Sequence, residues 1–250
     1  MFIFNRVILF VSNYTMDALI LAAGRGTRMG DLETPKCLID LGDTKIIDYQ
    51  INCFKEVGIK NIFVVTGYNS EMISNHIGNQ ATFVKNPDYA TTNNLHSLWS
   101  AKQILKNDFV CVYSDLIFDK QILQKCVNDT NDICLAIEKN VRDETMRVTI
   151  KNNSIVKVNK LISDECAHGN FIGMAKFKKS SITSLFMEIS KLVSKQNNNL
   201  YYTSAIESMI KNGEKINFIE TDNLDWIDMD EKHEIEKAKQ LYKKIIEADF

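Results

Sequence analysis

Residues 17–36 constrain the fold more than any other part of the chain. An apolar run at 18–22 passes into Ala23-Gly24-Arg25-Gly26-Thr27-Arg28-Met29-Gly30, and Thr34-Pro35-Lys36 follows. A short run that is apolar at every position has no polar face, so it reads as a buried strand. Glycines after such a strand let the main chain approach anionic oxygens and adopt positive φ, while Arg28 and Lys36 add charge. Pro35 sets the approach of Lys36, and the small Ala22 and Ala23 leave space for a flat base. Two commoner phosphate loops are excluded. No Lys-Ser or Lys-Thr follows Gly30, as a Walker loop requires, and the third glycine of a dinucleotide fingerprint would fall on Met29.

Short β-rich runs then alternate with helical periods. Strands are expected at 61–66, 81–84, 109–113 and 133–137. Helices are expected around 47–57, 70–77, 95–105 and 119–127, from apolar residues recurring at three and four positions. This alternation predicts an α/β fold, Rossmann-like and doubly wound, with a mostly parallel mixed sheet. From Met146 the rhythm changes. Strand-like runs at 146–150, 155–158 and 171–177 follow in succession, with Asn152-Asn153 as a turn, and predict a small antiparallel addition in the second half. Helices at 181–193 and 203–211, a strand at 216–220 and a charged helix at 231–246 complete the chain.

A formal net charge of -2 gives no basic surplus, which argues against nucleic acid and anionic membrane as partners. The six cysteines show no Cys-x-x-Cys spacing and suit a reducing, cytoplasmic setting. Residues 2–11 are apolar but interrupted by Asn5 and Arg6, and are too short to span a bilayer. Residues 1–15 are therefore expected to be a dispensable extension rather than an anchor.

The segment Leu21-Ala22-Ala23-Gly24-Arg25-Gly26-Thr27-Arg28-Met29-Gly30 with Thr34-Pro35-Lys36 resembles the signature of nucleotidyltransferases, which join a nucleoside triphosphate to a phosphorylated small molecule. Asn86-Pro87-Asp88-Tyr89 and Thr92-Asn93-Asn94-Leu95-His96-Ser97-Leu98 are similar to a segment of the CTP-using branch, which includes phosphocholine and 2-aminoethylphosphonate cytidylyltransferases. The resemblance implies a single domain over 16–250, with nucleotide bound by about 16–140 and acceptor by about 141–228. It places Leu21, Ala22, Ala23, Gly24, Gly26, Thr27, Arg28, Lys36, Asn86, Thr92, Asn93, Ser97 and Ser114 around the nucleotide. Amide and hydroxyl groups both donate and accept, so Asn93, Asn94 and Ser97 suit the edge of cytosine, and Asn93 or Asn94 also suits a helix N-cap.

Asp115 ends the apolar strand at 109–113, where ligands gather in open α/β sheets. By resemblance Asp115 and Asp228 hold Mg²⁺, with Asp222, Asp225 and Asp230 as competitors for the second position. Lys36, Arg28 and Asp115 are the expected catalytic groups. Lys160, Asn170, Tyr202 and Trp226 are the expected acceptor contacts, with Tyr201 beside them as part of an aromatic wall. Asn170 stands where the phosphonate branch carries an acid. The expected reaction moves CMP from CTP to a small phosphorylated or phosphonate acceptor such as phosphocholine, 2-aminoethylphosphonate or glutamine phosphate. Pyrophosphate leaves, and the product serves capsule or surface-glycan decoration. The competing readings are a sugar-1-phosphate nucleotidyltransferase using UTP or dTTP, and a non-catalytic nucleotide-binding regulatory domain. A homodimer is the assembly allowed for.

Overall fold

A computed structural model describes residues 16–30, 34–141 and 146–248, excepting the side chain of Arg28. The expectation for residues 1–15 lies outside the described residues. Strands β1 (Met16–Ala22), β2 (Asn61–Thr66), β3 (Thr82–Lys85), β4 (Asp108–Tyr113), β6 (Ile133–Glu138), β9 (Gly169–Phe177) and β10 (Asn217–Glu220) form the main sheet. Its order is β10-β6-β9-β4-β1-β2-β3. A hairpin of β7 (Arg147–Lys151) and β8 (Ser154–Asn159) hangs from β9, and β5 (Leu116–Phe118) pairs with β11 (Trp226–Asp228) in a separate ribbon. The helices are α1 (Ile46–Glu56), α2 (Ser70–Ile77), α3 (Asn94–Ser100), α4 (Lys120–Asn128), α5 (Lys179–Ser194), α6 (Thr203–Lys211) and α7 (Ile235–Ala248).

The double-wound arrangement follows from strand alternation. Ala18, Ile20 and Ala22 of β1 face one core, filled by Ile47, Ile51 and Phe54 of α1 and by side chains of α2, α4 and α7. Leu19 and Leu21 face the other core, filled by α3, α5 and α6. β1 runs parallel to β2 and β4, so the carboxyl ends of these strands open on one edge, where the glycine-rich segment begins.

The fold class agrees with the sequence expectation, but one strand sits elsewhere. β9 was expected in the antiparallel addition. It lies instead in the middle of the main sheet, antiparallel to β4 and β6. All nine of its residues are buried, which requires cover on both faces and neighbours on both edges. The β7–β8 hairpin reverses the chain before β9, so β9 enters the sheet in the opposite sense. Asn152 and Asn153 close that hairpin with φ of 50° and 54°, the left-handed pair that a two-residue turn demands.

Candidate active site

A cavity of about 350 Å³ opens at the carboxyl ends of β1 and β4. One wall is the turn after β1, contributing Leu21, Ala22, Ala23, Gly24, Gly26 and Thr27. Gly26 has φ +67°, and a Cβ there would lie 2.8 Å from Lys36 Cε. The aliphatic part of Lys36 thus crosses directly over the glycine, and only glycine permits that approach. The Tyr68 amide donates to Ala23 O at 3.1 Å and ties the turn to the end of β2. The Arg28 side chain lies outside the described residues.

The second wall carries the amide-rich segment. Asn86, Thr92, Asn93 and Ser97 all line the cavity. The Asn86 amide lies 3.4 Å from the Thr92 hydroxyl and 3.3 Å from that of Ser97, and its carbonyl oxygen accepts from the Asp88 amide. Asn86 is thereby the internal brace of this loop. The Asn93 carbonyl oxygen accepts from the Asn94 amide at 2.8 Å at the start of α3, so capping and cavity lining coexist in this residue.

At the floor, Ser114 and Asp115 form the tight turn between β4 and β5. β11 pairs antiparallel with β5 in the register Asp228↔Leu116, and the Met229 amide donates to Asp115 O at 3.1 Å. That ribbon brings Asp228, more than a hundred residues along the chain, next to Asp115. Lys36 Nζ donates to Met229 O at 2.8 Å and Asp230 Oδ1 at 3.0 Å, and lies 3.4 Å from Asp115 Oδ2. Burial, and then the neighbouring Asp115 and Asp230 charges, push the Asp228 carboxyl up to about 6. Burial also raises Asp115, opposed mainly by the adjacent Lys36 ammonium. Among the described residues, the floor therefore gathers the carboxylates of Asp115, Asp228 and Asp230 around the Lys36 ammonium.

The expected acceptor contacts divide. Lys160 and Trp226 line the cavity, as do Tyr201, Phe171 and Met146. Two require correction. Asn170 is fully buried between β6 and β7, and its amide donates to Asn140 O at 2.5 Å. Strand alternation turns it away from the face that presents Phe171 and Gly173. Tyr202 is fully buried, with its ring packed edge-on against Tyr113 at 5.8 Å and Phe171 at 6.1 Å. Successive side chains before α6 project to opposite sides, Tyr201 into the cavity and Tyr202 into the core.

Gln50 was missed from the sequence. It is fully buried on α1, and its Nε2 donates to Tyr113 O at 2.8 Å and Leu116 O at 2.7 Å, bracketing Asp115. The available signal was a polar residue on the apolar stripe of Ile47, Ile51 and Phe54. Asp230, named only as a competitor, lines the cavity at i+2 from Asp228 and pairs with Lys36.

Residues 18–172 match the family described as the MobA-like NTP transferase domain. A CTP:phosphoglutamine cytidylyltransferase of Campylobacter jejuni is 26% identical, over 88% of this chain and 98% of that protein. A choline-phosphate cytidylyltransferase of Streptococcus pneumoniae is 37% identical over 108 residues, 41% of this chain and 46% of that one. The solved structure of the CTP:phosphocholine cytidylyltransferase from Streptococcus pneumoniae superposes with a TM-score of 0.76 at 25% identity, over 91% of this chain and 99% of that chain.

Proposed function

Since the chain belongs to the family of MobA-like NTP transferase domains, we propose that it transfers CMP from CTP to a small phosphorylated or phosphonate acceptor and releases pyrophosphate. The observation that carries this reading is convergence. The glycine turn, Lys36 and the carboxylates of Asp115, Asp228 and Asp230 all face one cavity. The relatives named for CTP, phosphoglutamine and phosphocholine support the choice of base and acceptor class.

Backbone amides of the turn after β1 bind the triphosphate, and Asn93 and Ser97 present donors to the base. Lys36 stands beside the floor acids and steadies charge at the α-phosphate, while Arg28 is assigned to the departing pyrophosphate. The acceptor oxygen attacks phosphorus directly, so the enzyme's part is positioning and charge neutralisation. Lys160 and Trp226 hold the acceptor.

Among the described residues no three acidic, His or Cys side chains form a closed metal cage. The donor set still suits Mg²⁺, which keeps waters and phosphate oxygens and takes only one or two protein carboxylates. The Asp228 carboxyl is raised first by burial and then by the neighbouring Asp115 and Asp230 carboxylates, and a dication there would favour its ionised form. Asp115 and Asp228 would hold Mg²⁺ with Asp230 beside them, and the bound ion would supply charge neutralisation at the transferred phosphate.

Among the described residues no helix is long and apolar enough to cross a membrane, and a cytoplasmic enzyme serving surface-glycan decoration fits the nucleotide substrate. The test is pyrophosphate release with Mg²⁺ and CTP, UTP or dTTP, against phosphocholine, 2-aminoethylphosphonate and glutamine phosphate. Release with CTP is expected. A clear preference for UTP or dTTP would replace CTP, and no release with any pair would leave a silent nucleotide-binding domain.

A further inference from the structure

We infer that Asn94 serves the acceptor rather than the base, as a positioning residue that fixes the direction of Tyr201 in the cavity wall. The inference deepens the proposed cytidylyl transfer and rests on it. Asn93 and Asn94 adjoin in the chain, and both line the cavity. Either side chain suits the edge of cytosine by its chemistry, but their bonding separates them. The Asn93 side-chain oxygen turns back on its own helix, to the Asn94 amide. The side-chain oxygen of Asn94 reaches across to another element and accepts from the Tyr202 amide at 2.9 Å.

That bond acts on the peptide unit joining Tyr201 to Tyr202. Its N–H belongs to Tyr202, which stands just before the first residue of α6 and has no helix carbonyl to donate to. Its C=O, that of Tyr201, accepts from the Ser204 amide at 3.0 Å. Both polar atoms of one planar unit are thus held, which fixes the plane against rotation about the flanking dihedrals. The plane sets where the two side chains leave. Tyr202 enters the core, and Tyr201 enters the cavity, where the Lys160 ammonium lies 5.1 Å from its ring centroid.

Two main-chain bonds join the same segments without help from any side chain. The Asn93 amide donates to Asn198 O at 2.8 Å, and the Leu95 amide donates to Leu200 O at 3.3 Å. Replacing Asn94 therefore leaves the segments docked and removes only the bond beside Tyr201. The start of α3 thus has two separate tasks: Asn93 faces the base, and Asn94 sets the wall that meets the acceptor.

The experiment measures CTP affinity by titration, then kcat and acceptor KM at saturating CTP and Mg²⁺ with phosphocholine, 2-aminoethylphosphonate and glutamine phosphate. It compares wild type, Asn94→Ala, Asn94→Asp, Tyr201→Ala and the double variant Asn94→Ala with Tyr201→Ala. Asn94→Ala is expected to raise KM about fivefold for the acceptor that wild type uses. CTP affinity, kcat and the far-UV circular dichroism spectrum are expected to stay nearly unchanged. Asn94→Asp keeps an oxygen for the Tyr202 amide and is expected to return KM to near the wild-type value. With Tyr201 already alanine, Asn94→Ala is expected to change KM by less than about twofold, because both substitutions act on one contact. Weaker CTP binding with an unchanged acceptor KM would make Asn94 a reader of the base and overturn the inference. An equal effect in both Tyr201 backgrounds, a KM in Asn94→Asp as high as in Asn94→Ala, or loss of the fold in Asn94→Ala would overturn it too, while leaving cytidylyl transfer in place. Absence of CTP-dependent pyrophosphate release by wild type with every acceptor overturns both.

Discussion

Lys36 shows how one side chain can be poised by its surroundings. Its stem crosses Gly26 and its ammonium meets Asp115, Asp230 and the Met229 carbonyl, so it is held at the floor before any phosphate arrives. Removing one such charge-stabilising contact typically raises a barrier by about 3 kcal/mol. Lys36→Ala is expected to lower kcat roughly a hundredfold with an unchanged far-UV circular dichroism spectrum. Near-normal turnover would take Lys36 out of the mechanism. Tyr202 gives the opposite case, since among the described residues its buried hydroxyl has no hydrogen-bond partner. An unmet buried hydroxyl costs about 1–3 kcal/mol, so Tyr202→Phe is expected to melt at the wild-type temperature or higher, with acceptor KM unchanged. A raised KM would return Tyr202 to the acceptor site.

Asp228 adds a dependence on pH. Its folded carboxyl, pushed up to about 6 mainly by burial, binds a proton more tightly than in the unfolded chain. The stability it contributes is complete below the ordinary carboxylate range and is lost as pH rises through about 6. A bound dication favours the ionised form, so the rise in melting temperature produced by Mg²⁺ should grow between pH 5 and pH 7. Asp228→Asn should flatten that growth. A Mg²⁺ effect equal at both pH values would place the ion elsewhere.

The β5–β11 ribbon is the element on which the floor depends. Neither strand exceeds three residues, and their short apolar runs carry too little periodicity to be read before pairing is known. Gln50 of α1 braces the same turn from beneath with two hydrogen bonds. Gln50→Leu fills similar space but leaves the Tyr113 and Leu116 carbonyls without that donor, at a cost of about 1–3 kcal/mol. The expected result is a lower kcat and a higher Mg²⁺ requirement, with CTP affinity measured by titration nearly unchanged. Loss of CTP affinity in proportion to kcat would assign Gln50 to the general fold. Elements with long repeats were easier to read. The strand at 61–66 and the helices at 70–77 and 203–211 lie where their periodicity put them.

Across the whole molecule, a single sheet serves two cores. Trp226 belongs to one core and Trp99 packs against the other, while β1 sends alternate side chains into both. Such sharing couples the two sides, and urea unfolding should be one cooperative transition that coincides for Trp fluorescence and far-UV circular dichroism. Single-tryptophan variants Trp99→Phe and Trp226→Phe report each face separately. Distinct midpoints would mean that the two faces of the sheet unfold independently.

What the amino-acid order determined by itself was local and repetitive. It set the buried apolar strand at 18–22, the glycines and cations of the turn after it, the alternation that winds helices on both faces, and the amide-rich segment before α3. Each of these is a property of residues within a few positions of one another, where backbone sterics and periodic burial act directly. The tertiary structure decided the rest. It placed β9 inside the main sheet, brought Asp228 and Asp230 to Asp115 through a ribbon of three-residue strands, turned Tyr201 rather than Tyr202 to the cavity, and set Lys160 on that ring. These outcomes depend on which distant segment supplies the missing hydrogen bonds or burial, and no spacing within a single stretch of sequence encodes that choice.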